Sequence, residues 1–213
     1  TQRIKDILLA VITAAVCLCC FSWLGEWFAL ALKAIGYNGA EIEINGALDL
    51  VLCLVVTVLV APVVEETVFR NELTNEFRRR HGFLPTVLLS GLCFALMHMS
   101  PQQTVYQFML GCACAYTFLR TENVVVPSLI HALSNAAAIG LNYVDWSIIT
   151  PPEGQSSVLL NNPALSVPIT LLLAAAGVAI IFFAGKFVRK KTPSFEYGYD
   201  RDGSGRTPCV IAL

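Results

Sequence analysis

The sequence is short of charged residues. Of its 213 residues, 14% are Asp, Glu, Lys or Arg, whereas soluble domains usually carry about 25%. So few charged side chains cannot cover a water-soluble globule of this length, and 56% of the residues are hydrophobic. The composition therefore excludes an ordinary soluble domain and predicts an integral membrane protein.

Positive net charge is also missing. The formal net charge is −1, so the composition gives no indication of a nucleic-acid partner. Eight cysteines are present, but seven of them lie in apolar runs, where thiols usually behave as small hydrophobic groups. The partners we expect are the lipid bilayer and a peptide or protein, with no nucleic acid.

The sequence contains several long hydrophobic runs. A membrane-spanning helix needs about 20 mostly apolar residues. Six runs are candidate spans: 7–24, 48–78, 84–99, 103–119, 123–144 and 166–188. Gly25-Glu26-Trp27 predicts a break between the first span and a short amphipathic piece, 26–35. The pattern predicts an all-α, polytopic membrane helix bundle of about six transmembrane helices, with one transmembrane domain over 1–191 and a polar, flexible tail over 192–213.

Lys and Arg are absent from two predicted loops, 36–47 and 145–165. Basic residues instead lie before the first span, between the second and third, between the fourth and fifth, and after the sixth. With six spans, all four positions fall on one side of the membrane. The positive-inside rule then predicts that both termini are cytoplasmic. A bacterial plasma membrane is our default, because the chain is compact and has no recognisable organelle-retention signal.

Ionisable residues are rare inside the spans, so those that occur there are informative. They are Glu65, Glu66, Arg70, His98 and His131. Such groups are expensive at membrane depth and usually mark a functional site in the bundle interior. Glu65 and His98 lie about equally far from the turn at His81-Gly82, roughly 25 Å at 1.5 Å rise per residue. The two side chains can therefore face each other.

Helical spacing groups these residues further. Glu66 and Arg70 are four positions apart and share one helix face, as do His131 and Asn135. Glu65 points about 100° away from Glu66. One carboxylate can therefore pair with Arg70 while its neighbour faces water or a substrate.

Several kinds of chemistry are open to this set. A glutamate can act as the general base for water, and a histidine with an asparagine can stabilise an oxyanion. Glu66, His98 and His131 could instead bind zinc, which also activates water. The same residues could form the proton relay of a proton-coupled transporter, or belong to a catalytically inactive scaffold or immunity protein.

Three motifs occur in order on predicted membrane helices. They are EETVFR (Glu65–Arg70), which fits EExxxR; FALMH (Phe94–His98), which fits FxxxH; and HALSN (His131–Asn135), which fits HxxxN. Together they resemble the CPBP family of CAAX proteases and bacteriocin-processing enzymes, also called Abi proteins. Its best-known members are the Ras-converting prenyl-protein endopeptidases. The resemblance covers roughly residues 60–140.

The resemblance implies an intramembrane endopeptidase, a hydrolase with six site residues: Glu65, Glu66, Arg70, His98, His131 and Asn135. By position, Glu65 would activate water and Glu66 would support it, paired with Arg70. His98 would position the water, and His131 with Asn135 would form the oxyanion hole. The implied cofactor is none or zinc. The implied substrate is a membrane-associated peptide or protein, either prenylated or a leader peptide.

Overall fold

The fold is an all-helical bundle, as the hydropathy predicts. We used a computed structural model, which describes residues 1–37, 39, 46–141 and 162–188. All regular structure in these residues is helical, and the predicted tail over 192–213 lies outside them. The helices are α1 (Gln2–Ala34), α2 (Ala47–Arg80), α3 (Phe83–Met97), α4 (Thr104–Thr121), α5 (Val125–Leu141) and α6 (Pro163–Phe187).

Three of these six helices, α1, α2 and α6, are long and apolar enough to cross a membrane. The apolar helices α3 and α5 are shorter, with 15 and 17 residues. At 1.5 Å per residue, α3 covers only about 22 Å, less than the roughly 30 Å hydrocarbon layer. Residues of α4 are mostly buried among the other helices. Helix α4 therefore lies in the interior, and the long helices α2 and α6 carry many of the exposed apolar side chains.

The predicted break after the first span is wrong, because α1 continues through Gly25-Glu26-Trp27 to Ala34. Its irregularity lies earlier, in a π-helical stretch at Cys17–Phe21. Gly25 is buried against α4, and a Cβ built there would lie 3.1 Å from the Cβ of Tyr106. The glycine thus serves close helix packing rather than a chain break.

Four chain positions meet at one end of the bundle. Arg78, near the end of α2, pairs with Glu122 after α4 at 3.1 Å. Arg120 donates to the carbonyl of Gly185 near the end of α6, and Gln2 donates to the carbonyl of Val188. The four basic segments predicted to share one side of the membrane therefore lie at one end of the fold.

The helices α3 and α4 pack most closely at a pair of glycines. A Cβ built on Gly111 would lie 3.0 Å from the Cα of Gly91 and 3.0 Å from the Cβ of Phe94. Small residues at such crossings allow helix backbones to approach in membrane proteins. This contact fixes the depth at which Phe94 and the end of α3 enter the bundle.

Candidate active site

The carboxylates of α2 lie on a short regular turn between two irregular ones. Ala61–Glu66 is α-helical, while Val55–Val60 before it and Thr67–Thr74 after it are π-helical. The first irregularity has a local cause: Pro62 lacks an N–H, and its ring clashes with a carbonyl of the preceding turn in a regular helix. Such π segments occur frequently at functional sites.

Glu66 and Arg70 form a buried ion pair. Both side chains are 0% exposed. Arg70 Nε donates to Glu66 Oε2 at 2.5 Å, and Nη2 donates to Oε1 at 3.2 Å. A charged pair at this depth persists because each partner compensates the other and further polar contacts complete the shell. The predicted pairing of these two residues is confirmed.

Polar side chains that the motif analysis missed complete this shell. Arg70 Nη1 donates to Ser90 Oγ of α3 at 2.6 Å, and Ser90 Oγ lies 2.8 Å from Thr74 Oγ1. Ser90 and Thr74 are both fully buried. The guanidinium also lies over the ring of Phe94, with 5.4 Å between its central carbon and the ring centroid. One available signal was Ser90 itself, a polar residue within an apolar span.

His131 of α5 lies against this pair. Its Nδ1 is 3.3 Å from Glu66 Oε1, within ion-pair distance but outside hydrogen-bond geometry. The histidine is 2% exposed, and its ring meets that of Phe94 edge-on with 5.4 Å between centroids. The structure therefore brings together three of the predicted site residues, Glu66, Arg70 and His131.

His98 joins the cluster through the same aromatic ring. It follows the last residue of α3, and its ring centroid lies 4.8 Å from that of Phe94. His98 Nδ1 is 2.9 Å from the carbonyl oxygen of Phe94. A carbonyl can only accept, so Nδ1 carries the proton, and the neutral ring has its free lone pair on Nε2. Phe94 thus touches both histidines and Arg70.

Glu65 differs from its neighbour in having a free oxygen. Its Oε2 atom is buried and accepts no hydrogen bond in the described part of the chain. The predicted facing of Glu65 and His98 involves no hydrogen bond between these two residues. Unpartnered buried carboxylate oxygens are costly, and each one in a folded protein calls for an explanation such as catalysis or a bound water.

Asn135 contacts the backbone of α2. Its Nδ2 donates to the carbonyl oxygen of Thr57 at 2.8 Å, which joins α5 to the π-helical stretch before the carboxylates. Asn135 is one turn beyond His131 on the same face of α5. One of its two amide protons remains for another acceptor.

The three predicted zinc ligands are not arranged as a metal site. Both oxygens of Glu66 accept hydrogen bonds from Arg70. Among the described residues, no three His, Cys, Asp or Glu side chains come together in a group that could hold a metal ion. A zinc ion bound by Glu66, His98 and His131 therefore has no support in this arrangement.

The segment that holds this site matches a known family. Residues 47–137 match the family model described as type II CAAX prenyl endopeptidase Rce1-like. This segment is similar to that family. It begins with α2 and ends just beyond Asn135, so it contains all six predicted site residues. The resemblance to CAAX proteases is thereby confirmed over this segment.

A curated relative covers a similar share of the chain. YdiL of Bacillus subtilis (strain 168), named as a candidate membrane peptidase, is 24% identical over 88 residues. These residues are 41% of this chain and 36% of YdiL, so the chain spans about a third of that relative. No solved structure matches the chain significantly.

Proposed function

We propose that this protein is an intramembrane endopeptidase that hydrolyses a peptide bond with water activated by Glu65. The observation that carries the proposal is the contrast between two adjacent carboxylates. Glu66 is fully engaged by Arg70, whereas Glu65 Oε2 is buried and has no partner among the described residues. The Rce1-like match over residues 47–137 supports the same reaction class.

The proposed reaction begins with a water molecule between Glu65 and His98. Glu65 Oε2 accepts a proton from the water, while Nε2 of His98 accepts the second hydrogen as a hydrogen bond. The resulting hydroxide attacks the scissile carbonyl carbon. The intermediate carries its negative charge on the former carbonyl oxygen. Glu65 then gives its proton to the amide nitrogen and the C–N bond breaks. The new carboxylic acid passes its proton to the departing amine, so a carboxylate and an ammonium group leave.

The developing oxyanion needs donors, and α5 offers them. His131 with both ring nitrogens protonated can donate from Nε2, while Glu66 Oε1 at 3.3 Å stabilises the imidazolium from Nδ1. The second amide proton of Asn135 can reach the same oxygen only if the substrate lies along this face of α5. In this scheme Glu66 and Arg70 orient His131 and balance its charge, and neither residue exchanges a proton with the substrate.

The test is a cleavage assay with purified protein in liposomes. Fluorogenic farnesylated CAAX peptides and unmodified leader peptides would be offered to wild type and to Glu65→Gln, with and without a chelator. We expect wild type to hydrolyse at least one class, Glu65→Gln to lose that activity, and the chelator to change nothing. A folded wild type that cuts neither class, or a Glu65→Gln variant that cuts as well as wild type, would refute the proposal.

A further inference from the structure

One backbone carbonyl of α2, that of Thr57, receives no hydrogen bond from its own helix about two turns before the carboxylates. In the π-helical stretch Val55–Val60, the N–H of Ala61 donates to the carbonyl of Val56, five residues earlier. In the same i to i+5 pattern, the backbone N–H of residue 62 would donate to the carbonyl of Thr57. That residue is Pro62, which has no N–H to donate. Neither of the two residues that normally bond this carbonyl therefore does so.

The missing donor comes from another helix. Asn135 Nδ2 donates to the Thr57 carbonyl at 2.8 Å across 78 positions of sequence. Backbone polar groups must be satisfied within the protein at membrane depth, because lipid offers no hydrogen bonds. The bond therefore ties α5 to α2 at a place where the helix of α2 cannot satisfy itself.

This tie is close to the reacting groups on both sides. Glu65 lies one helical turn beyond Pro62, and His131 lies one turn before Asn135. A side chain that fixes α5 against α2 here also fixes His131 against Glu66, which lie 3.3 Å apart. Loss of the tie would let these two helices shift at the level of the site.

We infer that Asn135 is a positioning residue: it caps the Thr57 carbonyl that Pro62 leaves open and so holds His131 in register with the carboxylates. This inference rests on the proposed function for its catalytic consequence only. The hydrogen bond itself is independent of any activity. It assigns Asn135 a role that acts through the backbone of α2, in addition to any contact with substrate.

Pro62 makes the inference testable by a double-variant cycle. Pro62→Ala supplies the N–H that Thr57 lacks, so the carbonyl no longer depends on Asn135. We expect Asn135→Ala to lower the melting temperature by about 3–6 °C when Pro62 is present. In the Pro62→Ala background, the same substitution should cost less than half of that loss. Asn75→Ala is the matched control, because Asn75 makes an equivalent bond to Asn71 O on an exposed face.

The cycle is completed by measuring kcat and KM on the peptide that wild type cleaves fastest. A positioning role predicts that Asn135→Ala lowers kcat with little change in KM, and that the double variant regains at least part of kcat. Equal losses of melting temperature in both backgrounds, or a double variant with kcat as low as Asn135→Ala, would overturn the inference. If wild type cleaves no peptide, the proposed function fails, and the melting comparison still decides the hydrogen bond.

Discussion

Arg70 offers the sharpest test of how the site is built. Its guanidinium is fully buried, bonds both oxygens of Glu66, donates to Ser90 and stacks against Phe94. Arg70→Ala would leave the Glu66 carboxylate buried without its strongest partner. Removing one member of a buried ion pair costs about 3–5 kcal/mol. We therefore expect a large loss of stability as well as of activity.

The expected size of that loss can be measured in detergent. A chain of this length loses roughly 2–4 °C of melting temperature per kcal/mol, so Arg70→Ala should melt about 6–20 °C lower. A thiol-reactive fluorophore can report the transition, because Cys17 and Cys114 are buried and become accessible on unfolding. Arg79→Ala is the control: its side chain is 78% exposed and its pair with Glu76 is long, 3.5 Å. A shift of less than about 2 °C is expected there.

A double variant separates the effect of the lost charges from the effect of the lost side-chain volume. Glu66→Gln with Arg70→Met removes both charges and keeps most of the bulk, so this pair should melt higher than Arg70→Ala alone. Its activity should remain low, because His131 would lose the carboxylate beside Nδ1. An Arg70→Ala protein that melts within about 2 °C of wild type and keeps full activity would refute the reasoning.

Two further predictions follow from packing and from the ligand geometry. Gly91→Ala should lower both melting temperature and activity, because the added Cβ would lie 2.9 Å from the backbone nitrogen of Cys112. This contact would force α3 away from α4 at a cost of about 1–3 kcal/mol. Gly82→Ala, where a Cβ meets nothing within 4 Å, is the control for thermal unfolding. Removal of divalent metal by a chelator should leave activity unchanged, since no metal-binding group forms among the described residues; activity lost to the chelator and restored by zinc would contradict this.

The sequence predicted the parts of the site that depend on spacing along one helix. Glu66 and Arg70 are four residues apart, and helical geometry alone requires them to be neighbours. The depth argument predicted that Glu65 of α2 and His98 of α3 face each other, and this stays a prediction. The pairing of Glu66 with Arg70 holds because an α-helix has a regular rise and a regular angle per residue.

What the sequence could not predict depends on contacts between helices. Ser90 bonds Arg70 across 20 positions, and Phe94 touches Arg70 and both histidines. Which polar residue reaches which partner depends on rotation and crossing of the helices, which hydropathy does not encode. The bond between Asn135 and Thr57 adds a second cause, since it depends on a π-helical irregularity that sequence periodicity cannot locate. Zinc binding by Glu66, His98 and His131 stays a prediction, because potential ligands in the same region need not converge.

The central claim is that Glu65, rather than Glu66, activates water, and one measurement tests it most directly. The kcat of Glu65→Gln would be compared with that of Glu72→Gln, an exposed glutamate two turns further along α2, with melting temperatures recorded for both. The account predicts that Glu65→Gln loses about 10²–10⁴-fold in kcat while it melts no lower than wild type, because its buried oxygen has no partner to lose. Glu72→Gln should match wild type in both. A Glu65→Gln protein that is folded and retains the kcat of wild type would contradict the account.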